Sequence, residues 1–138
     1  MISSYIMHMK GEGMATRFES PPRGDAEILT SALGRIADFW NFSNTKLATV
    51  LGVSAATVSR LRSGRSVLDP ASKSYEAGQF LLRLFRSLDA LLGSDDAAAR
   101  RWLETANLDL NARPLDLIDS FRGLISVCDY VDAYRARV

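Results

Sequence analysis

The residues best suited to chemistry lie in one short segment, residues 44–65, whose side chains could bind DNA. A small residue early in the segment lets a second helix cross close to the first, and a glycine after it supplies the positive φ of a tight turn. This pattern predicts a helix-turn-helix unit. Its four fixed positions, at relative spacings of 0, 4, 10 and 13, are Ala48, Gly52, Val58 and Leu61.

The second helix of this unit is expected to carry the contacts to base edges. Ser54 caps it, small residues at its start allow close approach in the major groove, and Arg60 can bond guanine O6 and N7 together. Lys46, Arg62 and Arg65 are expected to meet phosphates. The predicted DNA-contacting residues are Lys46, Ser54, Ala55, Ala56, Thr57, Ser59, Arg60, Arg62, Ser63 and Arg65.

The charges of the chain are unevenly distributed. The total is only +1, from 17 Lys and Arg against 16 Asp and Glu, which by itself argues against a nucleic-acid partner. Residues 39–68 nevertheless hold four bases and no acid, whereas residues 88–138 hold six bases and nine acids. A helix-glycine-helix corner also occurs in proteins that never bind DNA, but the acid-free charge agrees with the spacing and the cap in favouring DNA.

Helical periodicity dominates the chain outside this unit. With 138 residues, of which 47% are hydrophobic, the chain fits one domain or two very small ones. No segment alternates in the manner of a strand, so the predicted fold class is all-α with about seven helices. The predicted division is a flexible tail at 1–24, a helix-turn-helix region at 25–68, a long connecting or dimerisation helix at 69–93 and a C-terminal module at 94–138.

Capping residues predict where the helices begin. Asp25, the pair Asp69-Pro70, Asp95 and Pro114 each suit a helix start, and Gly123 is expected to separate the last helix from the one before it. The acids of the C-terminal module are scattered singly and are predicted to be solvated helix surface. They include Asp116, Asp119, Asp129 and Asp132.

Several classes of function are excluded by what the sequence lacks. The chain has one histidine, His8, and one cysteine, Cys128, and it has no glycine-rich phosphate loop. We therefore predict no disulfide, no metal site, no cofactor and no enzymatic activity. No apolar stretch approaches the roughly 20 residues of a membrane span, and the first ten residues do not form a signal peptide, so the chain is expected to be soluble and cytoplasmic, without a membrane partner.

Two parts of the chain resemble known antitoxins. The helix-turn-helix segment resembles the Xre family of regulators, whose recognition helix commonly ends in a run like that at residues 59–64. Residues 94–138 resemble the toxin-binding domain of MbcA/ParS/Xre-type antitoxins, with a departure at 110–113, where that family often has a small-residue or glycine-rich turn. This second resemblance is carried, in order, by Trp102, Leu103, Asn107, Leu110, Arg113, Pro114, Leu115, Asp116, Leu117, Gly123, Val127 and Tyr130.

The resemblance implies an antitoxin whose partner is a toxin with a RES domain, an NAD-consuming enzyme of ADP-ribosyltransferase-like fold. In such pairs the C-terminal region of the antitoxin covers the entrance of the toxin's active site, and the antitoxin regulates its own operator DNA. The chain would act as a homodimer within a larger complex, because two recognition helices related by a twofold axis read half-sites about 34 Å apart. The implied toxin-contacting residues are Arg113, Tyr130, Tyr134, Arg135, Arg137 and Val138.

Three alternatives stay open at this point. Arg135 and Arg137 either enter an anion-binding pocket of the toxin or only complement the dipole of a frayed helix end. The long helix over 71–92 is either a self-association surface or the core of the monomer. The alternative function is a stand-alone Xre-like regulator that responds to a small ligand, against which stands the absence of convergent polar groups in any apolar segment.

Overall fold

The computed structural model describes residues 23–137, without the side chain of Arg23. The predicted tail therefore lies almost wholly outside the described residues, and Val138, one of the expected toxin contacts, lies outside them as well. The described part consists of helices and connecting turns, as predicted. In chain order the helices are α1 (Arg23–Trp40), α2 (Asn44–Leu51), α3 (Ala55–Arg62), α4 (Lys73–Leu91), α5 (Asp96–Glu104), α6 (Pro114–Leu117) and α7 (Phe121–Ala136).

Helix α4 is the centre of the fold. It packs against α7 most extensively, and against α1, α2 and α5 on its other sides. Its residues Leu81, Leu84 and Leu88 are completely buried, and they share one hydrophobic cluster with Leu29 of α1 and Leu124 of α7. The inward face of the long helix is therefore the core of a single chain.

Two predicted helix starts were correct. Asp95 caps α5 by accepting a hydrogen bond from the amide of Ala98 at 3.0 Å, and α6 begins at Pro114. Helix α1 begins at Arg23, so Asp25 lies in the first turn of the helix and is not its N-cap. Its negative charge there interacts favourably with the positive end of the helix dipole.

The prediction that α4 begins at Asp69-Pro70 was wrong. Asp69 instead closes a turn, because its carboxylate accepts the amide of Ala71 at 3.0 Å and its carbonyl accepts the amide of Ser72 at 2.9 Å. The Ser72 hydroxyl then accepts the amide of Tyr75 at 3.1 Å, which starts the helix at Lys73. Two residues of capping type compete here, and the one closer to the apolar face begins the helix.

Gly123 lies inside α7 and does not separate two helices, contrary to the prediction. Helix α7 begins at Phe121 with Ser120 as its cap, whose hydroxyl accepts the amide of Gly123 at 3.0 Å. A Cβ atom at position 123 would lie 1.9 Å from the carbonyl oxygen of Leu117. The glycine is therefore required by the close approach of α7 to α6.

Candidate nucleic-acid interface and C-terminal surface

The helix-turn-helix unit consists of α2 and α3. The α2 helix ends at Leu51, and its C-cap is Gly52, which has a φ of 74° and donates its amide to the carbonyl of Ala48 at 2.8 Å. Val58 of α3 is completely buried and packs in the angle between the two helices with Leu47 and Leu51 of α2. The predicted roles of the small residue, the glycine and the apolar residues are confirmed.

The exposed face of α3 begins with its cap. The Ser54 hydroxyl accepts the amide of Thr57 at 3.1 Å, and the Thr57 hydroxyl accepts a hydrogen bond from the Arg60 guanidinium at 3.2 Å. Ser63 donates to the carbonyl of Arg60 at 3.1 Å and accepts from Arg65 Nε at 3.1 Å. These polar groups form a continuous hydrogen-bonded row, and the neighbouring small residues, which are exposed, are Ala55, Ala56 and Ser59.

Two of the four bases in this region are engaged within the chain. Lys46 Nζ lies 2.6 Å from Asp119 Oδ1 and 2.6 Å from the carbonyl oxygen of Leu115. Arg62 pairs with Asp38 of α1 and donates to Asn44 Oδ1 at 3.0 Å. Within residues 23–137 the bases of this region without a carboxylate partner are Arg60 and Arg65.

The C-terminal module carries a row of aromatic rings on its surface. Trp102 of α5 stacks against Tyr130 of α7 with ring centroids 6.5 Å apart, and Tyr134 follows 6.2 Å from Tyr130. The Arg137 guanidinium lies over the Tyr134 ring, 5.6 Å from its centroid. We call these four residues the aromatic row.

The other expected toxin contacts make bonds within the chain. Arg113 forms a two-point pair with Asp116, at 2.9 and 2.8 Å, which lowers the pKa of the Asp116 carboxyl and raises the pKa of the Arg113 guanidinium. Arg135 donates to the Ser87 hydroxyl at 3.2 Å. The structure therefore places Tyr130, Tyr134 and Arg137 on one surface and ties Arg113 and Arg135 to neighbouring side chains.

The connection between α5 and α6 contains a hydrogen-bonded segment, residues 107–112, which we call the 107–112 loop. Asn107 Oδ1 accepts the amides of Asp109 at 2.9 Å and Leu110 at 3.1 Å, and the amide of Asn107 donates to the carbonyl of Ala112 at 3.0 Å. Asn111 adopts a left-handed φ of 59°. At its tip the Leu108 side chain is 97% exposed, a feature that the sequence analysis did not anticipate.

A cleft of about 760 Å³ lies between α4 and α7. Asp132 accepts hydrogen bonds from Arg83 Nε and from the buried Ser87 hydroxyl, each at 2.7 Å, and the bond from Arg83 raises the pKa of that guanidinium. Arg135 and Arg86 line the same cleft beside apolar side chains of α4. The sequence analysis found no convergent polar groups in any apolar segment. In the fold they do converge, because Ser87 of α4 meets Asp132 of α7, 45 positions later in the chain.

Asp119 and Asp132 differ from the predicted solvated acids, since Asp119 bonds Lys46 of α2 and Asp132 bonds Arg83 of α4. Among residues 23–137 no group of three His, Cys, Asp or Glu side chains is placed to hold a metal ion. In the same range, none of the helices combines the length and the apolar character needed to cross a membrane.

Comparison with known proteins gives two matches that adjoin each other. The family model of the antitoxin Xre-like helix-turn-helix domain matches residues 25–86, and that of the antitoxin Xre/MbcA/ParS C-terminal toxin-binding domain matches residues 87–137. The two models meet inside α4. No curated protein matches the chain. The helix-turn-helix geometry and the two matches agree with the resemblance seen in the sequence, and the chain belongs to the Xre/MbcA/ParS-type antitoxins.

Proposed function

We propose that this antitoxin neutralises a RES-domain toxin that degrades NAD, and that it represses its own operon as a homodimer. The observation that carries this proposal is the presence of two separate surfaces on one fold. The exposed row of α3 offers DNA its hydrogen-bond donors, including two guanidinium groups that have no carboxylate partner within residues 23–137. The aromatic row lies in the domain matched as toxin-binding. Both matched domains are binding modules, and we assign the chain no catalysis of its own.

The end of α7 is the segment that we place at the entrance of the toxin's active site. The helix continues to Ala136, and Arg137 is its C-cap. The Arg137 guanidinium lies over the ring of Tyr134, one helical turn earlier. The Ser87 hydroxyl holds Arg135 in a similar way. A site that binds NAD must accept phosphate groups, and charge-assisted bonds from arginine suit such a site. This arrangement favours the inhibitory role over a frayed helix end.

For DNA we assign the base contact to Arg60 and a phosphate contact to Arg65. Small residues at the start of α3 leave room for the helix to approach the bases, and the hydroxyl groups of Ser54 and Thr57 lie beside Arg60. A homodimer is required to read two half-sites. Because α1 and α7 cover the apolar face of α4, we place the dimer contact outside that face.

Co-expression with the product of the adjacent reading frame tests the proposal. Cells that make both proteins should grow and keep their NAD, and the two proteins should co-purify. Arg137→Glu should restore the loss of NAD, because the charge at the end of α7 is reversed. Arg122→Glu is the matched control, since Arg122 is an exposed arginine at the other end of the same helix. Full protection by the Arg137→Glu variant, or by a chain without residues 134–138, would place the inhibitory contact elsewhere.

The cleft between α4 and α7 supports a second candidate function, a regulator that responds to a small ligand. Its volume and its mixture of apolar walls with a few converging polar groups are typical of ligand sites. Two observations together would favour this candidate over the antitoxin. The gene would have no toxic neighbour, and a small molecule would change the operator affinity of the wild type but not that of Ser87→Val.

A further inference from the structure

Leu108 is the most exposed large apolar side chain in the described part of the chain. It is 97% exposed, whereas the next in order, Val67 and Tyr134, are 48% and 47% exposed. An exposed leucine has no role in the core, and its methyl groups remain in contact with water unless a partner covers them. The position therefore calls for an explanation outside the fold itself.

The backbone that carries Leu108 is held in one conformation. The Asn107 side chain accepts hydrogen bonds from two backbone amides of the loop. The backbone carbonyl of Asn107 accepts the amide of Asn111 at 2.7 Å. The Tyr130 hydroxyl donates to Asp109 Oδ2 at 2.8 Å and fixes the loop to α7. The backbone of such a loop loses little conformational entropy when a partner binds Leu108.

The same tyrosine connects the loop to the aromatic row. Tyr130 stacks on Trp102, lies beside Tyr134 and bonds the residue that follows Leu108. Leu108 is thus the neighbour in sequence of a residue that is bonded to this group of tyrosine and tryptophan rings, and such rings are enriched at binding hot spots. All of these residues lie within the toxin-binding domain at 87–137.

We propose that Leu108 is an apolar anchor that inserts into a pocket of the toxin, and that the 107–112 loop determines which toxin the antitoxin accepts. The inference rests on the proposed function in one respect, namely that the toxin docks on the aromatic row. The toxin is the occupant that fits, because the loop belongs to the toxin-binding domain and continues the surface assigned to that partner.

The test measures the affinity of the full chain for the toxin made from the adjacent reading frame. Leu108→Asp should weaken binding about tenfold or more, because a carboxylate would be buried in an apolar pocket. Leu108→Met should bind nearly as well as the wild type. Asn107→Ala keeps the leucine and removes two loop hydrogen bonds, so it should give an intermediate loss.

The controls separate binding from folding. Leu108→Asp should leave the Tm unchanged, since the side chain is almost fully exposed. Val67→Asp is the matched control, because Val67 is an exposed apolar residue in the other domain and should leave toxin binding unchanged. A wild-type chain that does not bind the toxin would overturn the proposed function and this inference with it.

If the wild type binds the toxin and Leu108→Asp binds it equally well, the inference alone is overturned. The same holds if Leu108→Asp converts a dimer to a monomer without changing toxin affinity, which would assign the loop to self-association.

Discussion

Lys46 Nζ lies 2.6 Å from Asp119 Oδ1, and this pair joins the helix-turn-helix unit to the turn between α6 and α7. The same ammonium group donates to the carbonyl of Leu115 at 2.6 Å, so two acceptors of the toxin-binding domain hold it. A base that the sequence assigned to DNA phosphates is thus neutralised by an acid of the other domain. This ion pair therefore links the two matched domains.

Asp119→Asn should release Lys46 toward DNA. The logarithm of the affinity for operator DNA should then fall more steeply with the logarithm of the salt concentration, by about 0.9 for one added phosphate contact. The carboxylate is 44% exposed, so the loss of stability should stay below about 1 kcal/mol. Fluorescence anisotropy at several salt concentrations measures the slope. Adding Lys46→Ala should abolish the increase, and equal slopes for the wild type and Asp119→Asn would contradict the prediction.

Arg60→Ala should weaken operator binding by about 1–3 kcal/mol and relax the preference at one base pair, because a two-point contact to guanine is lost. Folding should be unaffected, since the side chain is exposed and, among the described residues, bonds only to Thr57. Gel-shift titrations on the operator and on single-base variants measure both effects. Arg101→Ala, at an exposed arginine of α5, is the control. An unchanged affinity would remove this helix from base recognition.

Gly123→Ala should destabilise the fold by several kcal/mol or prevent folding. The added methyl group would lie 1.9 Å from the backbone oxygen of Leu117, which has no flexible end that could move aside. Gly34→Ala in α1 is the matched substitution, because its nearest neighbour is Arg62 Cγ at 3.8 Å. Alanine should stabilise that helix by about 0.5–1 kcal/mol. Urea unfolding of both variants checks the contrast, and a mild effect at position 123 would show that α6 can withdraw.

The Cys128 thiol should be unreactive in the native protein. It is buried and donates to the carbonyl of Phe80 at 3.2 Å, and burial raises its pKa to about 12. Since the unfolded thiol ionises near pH 9, its contribution to stability is complete below pH 9 and is lost as the pH rises toward 12. The free energy of unfolding should fall more steeply over this range in the wild type than in Cys128→Ser. Rapid reaction of the folded protein with a thiol reagent at pH 8 would oppose this assignment.

The helix-turn-helix unit could be predicted because its information is local. The spacing from Ala48 to Leu61, the cap at Ser54 and the turn at Gly52 depend on residues within one short segment, and each has the predicted role. The start of α4 was missed because Asp69 and Ser72 are both capping residues, and only packing decides between them. The role of Gly123 depends on the path of α6 and is equally invisible in the local pattern.

The contacts between distant residues could not be predicted. The pair of Lys46 with Asp119 joins residues 73 positions apart, and the cluster around Ser87 and Asp132 joins positions 45 apart. In the sequence these acids look like scattered surface charges. Leu108 was missed for a different reason, since it stands in a polar stretch without periodicity, in a loop that the side chain of Asn107 holds together.

The separation of Leu108 from the core also bears on how such antitoxins diverge. A substitution at an exposed loop tip changes what the partner meets and leaves the packing of α4 and α7 as it was. Under the proposed anchoring of the toxin by Leu108, natural selection can alter the choice of toxin one residue at a time without first compensating for lost stability. Duplicated copies of the gene within one genome would be able to acquire separate partners by drift in this loop while the shared scaffold stays the same.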